Sequence, residues 1–343
     1  MAFILKHFAI VVFCGLFQTT PQARAQMSER YALIIGGAGG QKEFTEKYFE
    51  QTNRLYDLLL DKLGYQPKNI AYLFETVSHD SLKIDAVCTA ANVRAALRRL
   101  GRTMQAQDQL FIFMTGHGTF DGDWGKFNLV GRDLRDIDYA QLLANLPIKR
   151  IIVVNTSSAS GPFIKKLSGE QRVIITATKS GRQHYETNFA DFFLDALASK
   201  QADLDKDNRV SLLEAFKYAR GSQDKWFEQN RRLRAEHPLL DDNGDGEGSQ
   251  DFEDSKDGLL AGRVYLAAVP EEVQETLENI DSGVASPQDK LILEKLKLQQ
   301  EIEDLRARKS QLGEDEYKKQ SQELLIRLAK VSREIKKNQA EAR

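Results

Sequence analysis

Five short and almost wholly apolar runs punctuate the chain between residues 31 and 177: Tyr31–Ile35, Ile70–Phe74, Leu110–Met114, Ile151–Val154 and Val173–Ala177. A strand with one solvated face alternates polar and apolar residues, whereas an unbroken apolar run marks a strand buried on both faces. Between these runs, Glu46–Leu63 carries Tyr48, Leu55, Leu58, Leu59 and Leu63 at helical spacing, and Asn92–Leu100 predicts a second helix. Buried strands separated by helices predict an α/β fold, a mostly parallel sheet covered by helices on both faces. In such sheets the chemistry collects in the loops just beyond the carboxyl ends of the strands.

The two ends of the chain have a different character. Lys6, the apolar run Phe8–Phe17 and the small-residue triplet Ala23-Arg24-Ala25 are the three parts of a signal peptide, predicted over residues 1–25. This leader implies a periplasmic or secreted protein with no stable membrane span after signal removal. Of the two cysteines, Cys14 falls in the leader and leaves Cys88 alone, so no internal disulfide can form. Residues 269–343 are rich in Glu, Lys, Gln, Leu and Arg. Leu291, Leu298, Leu305 and Leu312 recur there every seventh residue. Gly313-Glu-Asp315 interrupts the pattern, and Tyr317, Leu324, Leu328, Val331 and Ile335 resume it. The spacing predicts an α-helical hairpin or coiled coil, with self-association through 289–337 and packing back on the main body as alternatives. A net charge of -2 with no basic, aromatic-interleaved patch predicts no nucleic-acid partner.

Three strand-end loops hold the candidate chemistry. Gly36–Gly40 has neither G-x-G-x-x-G spacing nor a following G-K-[ST], so no nucleotide cofactor is predicted, only a tight turn that lets the backbone pass beside a site. The second loop is Thr115-Gly116-His117-Gly118, where a histidine sits between two glycines. On what should be the neighbouring strand, Asn155-Thr-Ser-Ser158-Ala-Ser-Gly161 leads into Pro162, small residues that permit a sharp strand-to-helix turn presenting one side chain. A histidine and a hydroxyl on adjacent strand ends are the minimum for a base–nucleophile pair.

A strand ending in T-G-H-G, followed by one ending in a short motif that closes on Ser160-Gly161, resembles the caspase/legumain clan of cysteine peptidases. The resemblance covers about residues 31–197. It implies a caspase-like, mostly parallel sheet within 26–268, His117 as base, and a nucleophile at Ser158, where the clan has cysteine. Gly116, Gly118 and Gly161 take substrate-binding or backbone-supporting places. A serine hydroxyl is a far weaker acid than a thiol and needs a hydrogen-bonded base, itself usually oriented by a third group. Asp121 and Asp123 are the candidates for that third group. Two functions follow: a catalytically impaired pseudopeptidase that binds a peptide or protein ligand, or an active hydrolase using a Ser158–His117 dyad.

A further motif lies in an insertion at about 190–250. Asp203, Asp205, Asp207, Arg209, Ser211 and Glu214 occupy positions 1, 3, 5, 7, 9 and 12 of an EF-hand calcium loop, with Arg209 contributing its carbonyl. Asn208 stands at the position that needs a left-handed turn. Asp241, Asn243 and Asp245 repeat the opening of such a loop, but position 12 is Phe252. They are a second candidate calcium site, a partner loop to the first, or an acidic turn.

Overall fold

The computed structural model describes residues 28–252, 255–309 and 312–341; the signal peptide expected at 1–25 lies outside them. Five central strands coincide with the apolar runs: β1 (Arg30–Gly36), β2 (Ile70–Phe74), β4 (Gln109–Thr115), β8 (Arg150–Asn155) and β9 (Arg172–Thr176). Two edge strands complete one seven-stranded sheet, β3 (Ala86–Val87) and β10 (Leu239–Asp241), in the order β10-β9-β8-β4-β1-β2-β3. Every pairing is parallel except that of β10 with β9. A small antiparallel sheet, β5 (Gly118–Phe120), β6 (Gly125–Phe127) and β7 (Leu134–Arg135), rises directly from the histidine loop. Its strands are too short to leave a periodic signature.

Helices cover both faces, so strand residues separate by parity into two cores. On one face Ala32, Ile34, Tyr72, Phe111, Phe113, Ile152 and Val154 pack beneath α1 (Lys42–Asp61), α5 (Phe189–Ala198) and α6 (Leu212–Gln229). On the other, Leu33, Ile35, Leu110, Ile112, Ile151 and Val153 meet α2 (Ala90–Gly101), α3 (Asp136–Ala144) and α4 (Pro162–Leu167). This two-sided burial explains the unbroken apolar runs. It is consistent with a caspase-like fold. Local sequence sets several helix starts: the Thr89 side chain accepts the Asn92 N–H, and Pro162 stands in the first turn of α4.

Beyond the sheet lie α7 (Glu271–Asp281), α8 (Pro287–Ala307) and α9 (Glu314–Glu341). Ser286 and Asp289 form a reciprocal capping box ahead of α8, with Pro287 as its first residue. Helices α8 and α9 run antiparallel, since Arg327 meets Glu301 and Asn338 meets Gln288. Leu291, Leu298, Leu324, Leu328, Val331 and Ile335 of the repeat gather along this seam with Ile292, while Leu325 and Ile326 of α9 stay exposed. Arg263 pairs with Asp304 at 2.7 Å and Arg306 approaches Asp205 at 3.7 Å, joining α8 to the main body. Among the described residues no helix is long and apolar enough to cross a membrane.

Phe113 is fully buried in the central strand. Phe113→Ala is expected to cost about 3–5 kcal/mol, read as a lower denaturant midpoint with little change in slope.

Candidate functional site

Strand β4 pairs with β8 in register, Met114 opposite Asn155, and with β1 on its other side, Gly36 opposite Thr115. The three glycine- and serine-rich loops therefore leave the sheet side by side. The Gly37 N–H donates to the Thr115 carbonyl at 2.8 Å, so the first glycine run does pass alongside the histidine loop. Gly118 has to be glycine because an added Cβ would drive into the Ser158 carbonyl oxygen; one on Gly161 would meet the backbone of Lys179 and Ser180. Gly116 completes the loop, where an added Cβ would press on the Gly37 backbone at 3.1 Å.

Ser158 is 2% exposed. Its hydroxyl donates to the Gly118 carbonyl at 3.1 Å and accepts the Gly118 N–H at 3.0 Å. Both bonds are to backbone on the histidine loop, and neither involves the imidazole. Ala159, the next residue, has φ +52°, a left-handed conformation that costs a residue with a Cβ roughly 1 kcal/mol. The sharp turn inferred from the small residues is therefore present. Surrounding bonds hold it: Ala159 N–H to the Gln183 carbonyl (2.7 Å), Ser157 Oγ to Asn155 Oδ1 (2.7 Å) and Gly161 N–H to Thr178 Oγ1 (3.0 Å).

His117 is half-buried and faces α1. The Tyr48 hydroxyl lies 3.3 Å from its Nδ1 and 3.4 Å from its Nε2, and the Phe44 ring meets the imidazole edge-on at 4.8 Å. Tyr48 was legible only as one apolar helix position among five. Its burial, which pushes the phenol pKa well up, leaves the hydroxyl a neutral hydrogen-bonding group. The orienting acids expected at Asp121 and Asp123 are not in that role. Asp121 caps its own hairpin, accepting from the Asp123 and Trp124 N–H groups and pairing with Lys126 at 2.7 Å, which holds its carboxyl down at about 2. Cys88 is fully buried with its thiol pushed up to about 12, so it is no substitute nucleophile.

The EF-hand-like segment links the end of α5 to α6. Asp203, Asp205 and Glu214 bring carboxylate oxygens within 4.8 Å of one another, hard oxygen donors of the kind calcium takes. Glu214 has two tasks, because it is also the third residue of α6 and closes a capping box with Ser211. Asn208 has φ +72°, as its place in the loop requires. Asp207 stands apart from the triad: its Oδ1 accepts the Arg209 N–H and its Oδ2 the Tyr265 hydroxyl, and burial raises its pKa to about 6. Arg209 lays its guanidinium over the Tyr265 ring at 3.6 Å. The loop's pairing partner is Val264–Tyr265, through the Leu212 N–H to the Val264 carbonyl and a bridge from Ser211 to Tyr265. The second acidic loop is not that partner. There Asp241 accepts the Gly244 and Gly246 N–H groups, and Asn243 the Asp245 N–H, an acidic turn that satisfies itself.

No protein-family model matches the chain. It is 26% identical over 185 residues to Metacaspase-7 of Arabidopsis thaliana, a match that takes in 50% of this chain and 44% of that protein, so the chain spans less than half the length of its relative. This similarity supports a caspase-like domain. A solved structure, protein GSU0716 from Geobacter sulfurreducens, superposes with a TM-score of 0.40 at 11% identity, over 62% of this chain and 92% of that one.

The loop that flanks Ser158 is held from beneath by Glu236. This buried carboxylate accepts the Asn188 and Phe189 N–H groups at the start of α5 and the Gln223 amide, while burial raises its pKa to about 7. An acid with a raised folded pKa binds more protons folded than unfolded between its two values. Stability from this group is therefore full below its ordinary carboxylate value and is lost as pH rises through about 7. Glu236→Gln is expected to flatten the stability-versus-pH curve between about 4.5 and 7, read from melting temperatures across that range.

Proposed function

We propose that this is a peptidase-fold protein that has lost peptidase activity and serves as a calcium-stabilised binding or assembly module. One observation carries the reading: the Ser158 hydroxyl is engaged by the Gly118 N–H and carbonyl, while His117 turns to Tyr48. A serine nucleophile needs its proton aimed at a base, and here that proton is directed to a backbone carbonyl. The Gly118 N–H donates to the serine side chain and is not free to serve a developing oxyanion. The metacaspase likeness supports the ancestry of the fold and is silent on activity. The expected outcome is that the mature protein neither cleaves peptides nor reacts with a serine-directed fluorophosphonate, with or without calcium. Activity appearing in Ser158→Cys would show a peptidase-like site silenced by the natural serine. Labelling of the natural protein that vanishes in Ser158→Ala and in His117→Ala would overturn the proposal and establish the dyad enzyme.

Calcium enters the proposal through the Asp203, Asp205 and Glu214 triad. A cation bound there relieves the mutual repulsion of the carboxylates and ties α5 to α6. A ligand that binds only the folded chain stabilises it by about 2.7 kcal/mol at a hundredfold excess over Kd. Calcium should therefore raise the melting temperature. Asp205→Ala, which removes a ligand but leaves the Ser211–Glu214 capping box intact, should abolish most of that rise. A shift of equal size in the variant would exclude the triad as the site.

A further inference from the structure

The loops bordering the Ser158 turn carry a concentration of positive charge that the composition of the chain does not predict. Residues 179–185 read Lys-Ser-Gly-Arg-Gln-His-Tyr and residues 231–235 read Arg-Arg-Leu-Arg-Ala, with no acid in either, in a chain whose net charge is -2. Gln183 fastens the two loops into one surface. Its side-chain amide donates to the Ala235 carbonyl at 2.7 Å and meets His237 Nδ1 at 2.6 Å. Its own carbonyl accepts the Ala159 N–H at 2.7 Å, and the Thr187 hydroxyl donates to the Thr156 carbonyl. The basic surface is thus anchored to the Ser158 turn on both sides of that residue.

Its charges are largely unspent. Lys179, Arg182, Arg231 and Arg232 are exposed, and among the described residues none has a carboxylate at ion-pair distance; Arg232 lies over the Trp226 ring at 5.3 Å, and Arg234 pairs with Asp224 at 3.1 Å. Of the flanking acids, Glu186 pairs with Lys47 at 2.7 Å and Glu236 holds the start of α5, while Glu228 is exposed three residues before Arg231. Burial, followed by the nearby charges of Lys179 and Arg234, lowers the pKa of His237 between the two loops. Two large apolar side chains stand out among these cations, Tyr185 at 70% exposure and Leu233 at 94%.

We propose that the surface formed by residues 179–185 and 231–237 is a docking site for an acidic segment of a protein partner, beside but outside the Ser158 turn. Guanidinium groups bind carboxylates through paired, charge-assisted hydrogen bonds, and tyrosine and arginine side by side are typical of peptide-binding hot spots. A stretch of Asp or Glu interrupted by bulky apolar residues satisfies both features, with its acids on Lys179, Arg182, Arg231 and Arg232 and its apolar side chains against Tyr185 and Leu233. A polypeptide fits the position better than a lipid surface, because two exposed large apolar side chains are far less than the apolar face by which a helix lies in a bilayer. This inference rests on the binding-module reading and gives it a partner class.

The test uses the full mature chain and a fluorescein-labelled peptide of glutamates interrupted by leucines, with a lysine-for-glutamate counterpart as control, read by anisotropy. The glutamate peptide should bind and the lysine peptide should not. Affinity should fall with added salt, and by about tenfold or more in an Arg182→Glu, Arg231→Glu double variant. The double Gln variant should fall between the two, with melting temperatures of all variants close to the parent's. No binding, equal binding of both peptides, or binding unaffected by the double variant would overturn the proposal. So would flotation with phosphatidylserine vesicles in the absence of peptide binding, which would make the surface a lipid site. Fluorophosphonate labelling of the same preparation separates the two readings. Absent binding with absent labelling removes the docking site and leaves the silent scaffold, whereas binding with labelling keeps the docking site and removes the silence.

Discussion

The parallel ladder between β4 and β8 runs from Gln109 opposite Arg150 to Met114 opposite Asn155, so both chains leave the sheet at the same height. Because the side-chain period of a strand is two, a slip of one residue would exchange the Phe111/Phe113 face for the Leu110/Ile112 face and put each core on the wrong side. Burial on both faces therefore pins the register, and the register fixes where Gly116–Gly118 and Thr156–Gly161 emerge. Everything at the site follows from that alignment, including the close approach of Gly118 to the Ser158 carbonyl and the hydroxyl bonds between the two loops.

At this junction one atom changes the chemistry available. A cysteine ionises partly at neutral pH without help, whereas a serine proton goes to whichever acceptor is best placed. With Tyr48 beside the imidazole and the Gly118 carbonyl at 3.1 Å, that acceptor is backbone. Ser158 then acts as a cross-link between two loops in a buried place, where each satisfied hydrogen bond avoids the cost of an unpaired polar atom. The carboxylate triad plays a comparable part on the other side of α5, where Glu214 both starts a helix and completes a cation-ready cluster. Arg306 from α8 reaches that cluster at Asp205, so the helical hairpin and the acidic loop share an electrostatic contact.

The central strands were readable because each lies in an environment of one kind. A segment buried on both sides has a composition that needs no partner to interpret, and the five apolar runs match β1, β2, β4, β8 and β9 to within a residue or so at each end. The three-stranded sheet β5–β7 and the edge strands β3 and β10 escaped because they are two or three residues long and take their form from neighbours. The role imagined for Asp121 and Asp123 rested on nearness along the chain, but the hairpin takes up the Asp121 carboxylate itself, and the group that reaches His117 comes from α1, about seventy residues earlier.

By itself the sequence determined the fold class, the strand-end loops, the hairpin seam and the spacing of an oxygen-rich loop, since each depends on periodicity or on residues a few places apart. The tertiary structure decided what the polar side chains do. It gave the Ser158 hydroxyl to Gly118 rather than to His117, paired the acidic loop with Val264–Tyr265 rather than with Asp241–Asp245, and gathered two distant basic loops about Gln183. The physical reason is the same in each case. Burial is a property that a segment carries with it, whereas a hydrogen bond is a matter of distance and direction between atoms that only the folded chain brings together.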